Sequence, residues 1–123
     1  MSTKLLPLVE RVRLALEGPG VLGNEALESL LEPGEDRALL EAALAFLQGR
    51  DEILVDVRDP SIHLRRKAND AVIRSLAGSA APLRIDDLAR SAGLPMALCC
   101  DVLGWLEREG RIVIDADGAV SLH

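Results

Sequence analysis

Apolar residues recur along this chain with two periods, and the order in which those periods switch occurs twice. Residues 4–17 place Leu5, Leu8, Val9, Val12 and Leu16 at the i, i+3, i+4, i+7 spacing of an amphipathic helix. Gly18-Pro19-Gly20 stops it. Asn24 is placed to N-cap a short helix over 25–31, with Leu27, Leu30 and Leu31 inward, and Pro33-Gly34 ends it. A third helix is predicted over 35–48, with acidic residues in its first turn and Gly49 at its end. The period then falls to two: EILVDV (52–57) alternates as a half-buried strand, Arg58-Asp59-Pro60-Ser61 turns, and IHLRR (62–66) returns.

The same order follows again. Residues 67–77 read as a helix with Ala71, Val72 and Leu76 inward, and Gly78-Ser79 closes it. Ile85, Leu88 and Ala89 mark a short helix, SAGLP (91–95) a turn, and 96–109 a longer helix ended by Gly110. RIVIDA (111–116), the Asp117-Gly118 turn and AVSLH (119–123) make a second hairpin, Asp-Gly being a strong hairpin signal. Sliding the chain on itself by 59 residues brings Leu40, Leu44 and Leu47 onto Cys99, Leu103 and Leu106, and EILVDV onto RIVIDA. Phe46 falls on Trp105, so the only two aromatics are equivalent. One residue of slippage is needed between the second and third helices. The expectation is a mainly α chain with small β-hairpins, an α+β class, in two units of helix-helix-helix-hairpin over 1–66 and 67–123.

The stretch IDDLARSAGLPMALCCDVLGWLEREGRIVIDADGAVSL (85–122) resembles the winged-helix variant of helix-turn-helix. There a short helix ends at an Ala-Gly turn, a longer helix follows, and a basic-acidic-Gly step opens the wing. Two such units on one short chain also resemble the kleisin-binding subunits of bacterial condensins and the small subunits of ESCRT-II. The resemblance implies a tandem winged-helix protein, a small subunit of a protein complex, and it extends to the first half only through the internal repeat.

Charge and composition narrow the partners. The 123 residues carry 20 Asp and Glu against 14 Lys and Arg, a net charge of −6 that makes the chain a poor non-specific ligand for DNA or anionic membranes unless a local patch overrides the average. With one Phe, one Trp and no Tyr, it lacks the stacking platforms that single-stranded nucleic acid requires. In MSTKLLPLVERVRLAL, Pro7, Glu10, Arg11 and Arg13 break any signal-peptide apolar region. No apolar run approaches the roughly 18 residues of a membrane span. Cys99 and Cys100 are adjacent and form no disulfide framework, so a reducing, cytoplasmic location is expected.

Candidate binding residues fall in two groups. In DNA-binding winged helices the third helix presents polar and basic side chains to base edges. Here the expected outward face of the second unit is Met96, Ala97, Leu98, Cys100, Asp101, Gly104 and Trp105; that of the first is Arg37, Ala38, Leu39, Glu41, Ala42, Ala45 and Phe46. Faces this apolar argue against direct base readout. Either the two helices share a core around Phe46 and Trp105, or the faces bind a protein or a second copy of the chain through Leu39, Phe46, Met96, Leu98 and Trp105. The leading reading is therefore a non-enzymatic adaptor or complex subunit, with self-association as a homodimer included. The second group is the basic run Arg58, Arg65, Arg66, Lys67 and Arg74, which opposes only Asp59 and Asp70 over that segment. It supports the alternative reading, a regulator that grips the backbone of double-stranded DNA.

Other chemistry is not expected. Gly18, Gly20 and Gly23 spell G-x-G-x-x-G, but a helix precedes them where a nucleotide fold needs a strand. The two histidines, at 63 and 123, lie at no zinc spacing from Cys99 and Cys100. Asp86-Asp87 reads as a helix N-terminal charge pair. No nucleophile has an adjacent base, although Cys100 would gain reactivity near Arg108. No cofactor, metal, membrane or small-molecule substrate is expected.

Overall fold

The computed structural model describes residues 4–58 and 61–123. It divides into two compact units, Met1–Arg65 and Arg66–His123. The first comprises α1 (Leu5–Glu17), β1 (Val21–Gly23), α2 (Asn24–Glu28), α3 (Arg37–Gly49), β2 (Ile53–Asp56) and β3 (Ser61–Leu64). The second follows the same order with α4 (Arg65–Ala77), β4 (Leu83–Arg84), α5 (Ile85–Ala92), α6 (Met96–Arg108), β5 (Ile112–Ile114) and β6 (Ala119–Leu122). The class is α+β, as the hydrophobic periods imply.

Each hairpin gains a third strand that the periodicity does not reveal. The sheets run β1-β3-β2 and β4-β6-β5, all antiparallel. Leu22 pairs with Ile62, and Leu83 with Val120, so the segment after each first helix docks on the far side of its wing. Three and two residues are too few to display a period, which is why these strands are invisible to pattern reading. In unit 1 the GPGVLG glycines form the α1–β1 connection, with Gly20 at φ 79°. The strand follows the glycines instead of preceding them, the reverse of a nucleotide-binding loop.

The core of unit 1 collects Leu8, Val9, Val12 and Leu16 from α1, Leu40, Ala43 and Leu47 from α3, and Ile53 and Ile62 from the sheet. Each fully buried Leu contributes about 1.5–3 kcal/mol. In unit 2, Leu88 and Ala89 from α5, Leu98, Cys99, Val102, Leu103 and Leu106 from α6, and Ile112 and Val120 from the strands are buried. The second wing turns as its sequence predicts. Asp115 Oδ1 accepts from the amides of Asp117 (2.9 Å) and Ala119 (3.0 Å), and Gly118 takes φ 84°, a conformation that strongly favours glycine. Asp59 and Pro60, expected in the first wing's turn, lie outside the described residues.

Helix ends shift by one to three residues where side chains find other partners, and α2 stops at Glu28, short of the expected 31. The α3 helix begins at Arg37 because Asp36 caps it, its Oδ1 accepting from Leu39 N at 3.0 Å. Glu35, expected inside that helix, instead forks onto Arg11 of α1 with contacts of 2.9 and 2.8 Å. Asn24 is the first residue of α2 and not its cap; its Oδ1 accepts from Arg37. After α3 and α6 the chain closes identically. Asp51 N donates to Gln48 O and Glu52 N to Leu47 O, while Gly110 N donates to Glu107 O and Arg111 N to Leu106 O, all at 3.0 Å.

That equivalence sets Asp51, at φ 60°, in the place Gly110 fills at φ 72°. An aspartate tolerates the left-handed region at a cost that glycine does not bear. Asp51→Gly is expected to stabilise the chain by about 1 kcal/mol, read as a higher urea midpoint at unchanged slope.

The Arg11 guanidinium holds the Glu35 carboxyl below its ordinary 4.5, with help from the Glu32 amide. Arg13 does the same for Glu52. A carboxylate whose folded-state pKa is lowered stabilises the fold above its unfolded value and loses that contribution as pH falls through the folded one. Stability should therefore decline once the pH drops below about 4.5. Glu35→Gln should have a lower urea midpoint than the parent at pH 7 and a smaller loss on acidification to pH 3.

Candidate nucleic-acid interface

The third helices are the surface on which a fold of this kind would read bases, and both present mostly short side chains, with Arg37 and Glu41 on α3 and Asp101 and Arg108 on α6 among the charged exceptions. On α6 the exposed residues include Met96 at 48%, Ala97, Cys100 and Asp101. Leu98, expected outward, is buried at 4% exposure. The inward stripe is wide, taking Leu98 and Cys99 together one turn before Val102 and Leu103, and this corrects the sequence reading. Leu39 and Phe46 are half-buried and pack against unit 1's own core, while the Arg50 guanidinium lies 5.7 Å from the Phe46 ring centroid. Trp105 is likewise half-buried. The large outward apolar patch thus shrinks to Met96 and the edges of half-covered rings. Exposed α3 positions Ala38, Ala42 and Ala45 are too short to reach a base edge.

Arg108, which pattern reading left off this face, reaches back across α6. One of its guanidinium nitrogens is 3.9 Å from where a Cβ on Gly104 would stand. The signal was the glycine four residues earlier, which leaves room for the side chain. Cys99 is buried, and desolvation with Cys100 beside it pushes its thiol up to about 11, so it supplies no thiolate; Cys100 is exposed. The tip of the second wing carries Asp115 and Asp117, which a phosphate would avoid.

Positive charge is therefore found elsewhere. Strand β3 runs straight into α4, whose exposed residues include Arg66 and Arg74, with Lys67 half-exposed. Helical spacing sets Lys67, Ala71 and Arg74 on one stripe (i, i+4, i+7). Arg58, on the first wing, is also exposed. Arg65 departs from expectation: it is 8% exposed, because the chain enters the helix at this residue with its amide donating to Glu52 O at 3.0 Å. Its guanidinium is not offered to a ligand. Asp59, expected to offset the basic run, lies outside the described residues.

Pairing separates the arginines further. In unit 1, Arg11 meets Glu35 at 2.8 Å, Arg13 meets Glu52 at 2.7 Å, Arg37 meets Glu28 at 3.3 Å and Arg50 meets Glu52 at 3.4 Å. Arg58, Arg66, Arg74, Arg84 and Arg108 have no carboxylate partner among the described residues. Unit 1 carries 7 Lys and Arg against 12 Asp and Glu, unit 2 carries 7 against 8, so unit 2 is nearly neutral.

No family model matches this chain, and no curated protein does. Among solved structures, it is similar to the mRNA-binding domain of elongation factor SelB from E. coli, determined in complex with SECIS RNA. The match covers 100% of this chain and 99% of that one, with a TM-score of 0.60 and 17% sequence identity. The fold is winged-helix. At that identity the likeness speaks for the fold alone. No helix among the described residues is long and apolar enough to cross a membrane.

Proposed function

We propose that this chain is a non-catalytic nucleic-acid-binding module that grips the phosphate backbone of a double-helical stem. The observation that carries the reading is three of the five exposed arginines that have no carboxylate partner among the described residues, Arg66 and Arg74 on α4 and Arg58 on the first wing, in a chain of net charge −6. Unit 1 shows that this protein readily pairs arginines with glutamates, so the arginines left open in each unit are positions at which another anion can bind. The similar SelB domain was solved with SECIS RNA, which makes a structured RNA a natural first ligand, with duplex DNA beside it. The scarcity of aromatics favours paired over single strands. The mostly short side chains of the third helices favour backbone contact over base readout. A fluorescence anisotropy titration against an RNA hairpin and a DNA duplex of about 20 base pairs tests this. Saturable binding at low salt to either is expected; no binding to both overturns it.

A second reading, docking of a protein or a second copy on the third helices, keeps the support of Met96, 48% exposed, and the half-buried Leu39, Phe46 and Trp105. It requires Met96→Glu to abolish an association seen by light scattering.

A further inference from the structure

We infer that the notch between α4 and α5 of unit 2 seats one phosphate of the bound nucleic acid, held by Arg74 and by one hydroxyl of the Ser75–Ser91 pair. This rests on the nucleic-acid reading above and assigns it a specific contact. The notch is open, about 470 Å³, and is lined by Ala71, Arg74, Ser75, Gly78, Ser91 and Ala92. Its chemistry selects for an anion. Arg74 is exposed and has no carboxylate partner among the described residues, and no carboxylate lines the notch, so the one formal charge on its lining is positive.

The two hydroxyls are 3.1 Å apart. Whichever donates within the pair, the other keeps its proton for an acceptor in the notch. An arginine fork beside a hydroxyl donor matches the oxygens of a phosphate. Ala71, Gly78 and Ala92 keep the walls low enough for a backbone phosphate to approach, and the lack of any aromatic or long apolar side chain leaves nothing to hold a base.

One force opposes this. The notch lies at the C-terminal ends of two helices, where exposed carbonyls repel anions. Four of those carbonyls are engaged. Arg74 O accepts from Gly78 N (3.0 Å), Leu76 O from Ser79 N (3.2 Å), Ala89 O from Leu94 N (2.9 Å) and Arg90 O from Gly93 N (3.3 Å). That relieves part of the repulsion, and the Arg74 guanidinium opposes the rest.

The test compares the parent with Arg74→Ala and Ser91→Leu by anisotropy, against the same RNA hairpin and DNA duplex at several salt concentrations. Ser91 is exposed on a helix, so leucine fills the notch while helicity by circular dichroism stays unchanged. Both variants should bind about tenfold more weakly, and both should lower the magnitude of the salt slope on duplex by about 0.9, one phosphate contact. If the parent binds and Ser91→Leu matches it in affinity and slope, the notch assignment is overturned while the nucleic-acid reading stands. If the parent binds neither probe, both fall.

Discussion

Reversing charge together at Arg58, Arg66 and Arg74 (each to Glu) should weaken nucleic-acid binding at low salt by at least about 100-fold, since three phosphate contacts are lost and three repulsions gained. The substitutions move the net charge from −6 to −12, so the loss should be equal, within experimental spread, for duplexes of unrelated sequence. All three positions are exposed, and surface changes of this kind cost the fold little, about 0.5 kcal/mol or less each. The comparison that gives the result meaning is Arg37→Ala with Arg50→Ala. Those guanidinium groups already face Glu28 and Glu52, and their removal should leave affinity within about threefold of the parent. If the paired arginines matter as much as the open ones, general electrostatics and not these particular side chains would explain the binding. A loss that depends steeply on sequence would contradict backbone contact.

The second large effect is on the fold. Leu106, fully buried in the α6 stripe, should cost about 3–4 kcal/mol when cut to alanine, through lost transfer energy and the void left behind. Against the 5–15 kcal/mol that typically holds a domain of this size, such a loss shows as a fall in melting temperature of about 10 °C or more. Ala97→Ser, nine residues earlier on the exposed side of the same helix, should stay within about 0.5 kcal/mol of the parent. The pair measures how sharply α6 divides core from surface. Calorimetry on both variants provides the readout, and a mild Leu106→Ala would place the core of unit 2 elsewhere.

Long, strongly periodic segments were legible in the sequence. The apolar positions of α1, α3 and α6 and the alternation in both wings locate those elements because their periods derive directly from helix and strand geometry. Strands β1 and β4 were not, since Val21-Leu22-Gly23 and Leu83-Arg84 become strands only when a distant wing offers its edge. Leu98 and Arg65 mark a second limit. Each position was assigned from a narrow helical stripe or a charge run, whereas burial follows the width of the stripe and the direct step from β3 into α4. The candidate site divides similarly. The basic run 58–74 stands out in the sequence, but the pairing that sets the arginines of α1 apart from it depends on glutamates 24 and 39 residues away from Arg11 and Arg13. The Ser75–Ser91 contact spans 16 residues and carries no local signal.

The central claim, backbone gripping by a small open set of arginines, is tested most directly by the salt dependence of the parent protein on one duplex. Three contacts predict a slope of log K against log salt of about −2.7, which is about a 40-fold loss of affinity between 50 and 200 mM. A slope near zero with retained binding would contradict the account and return the third helices to first place as the contact surface.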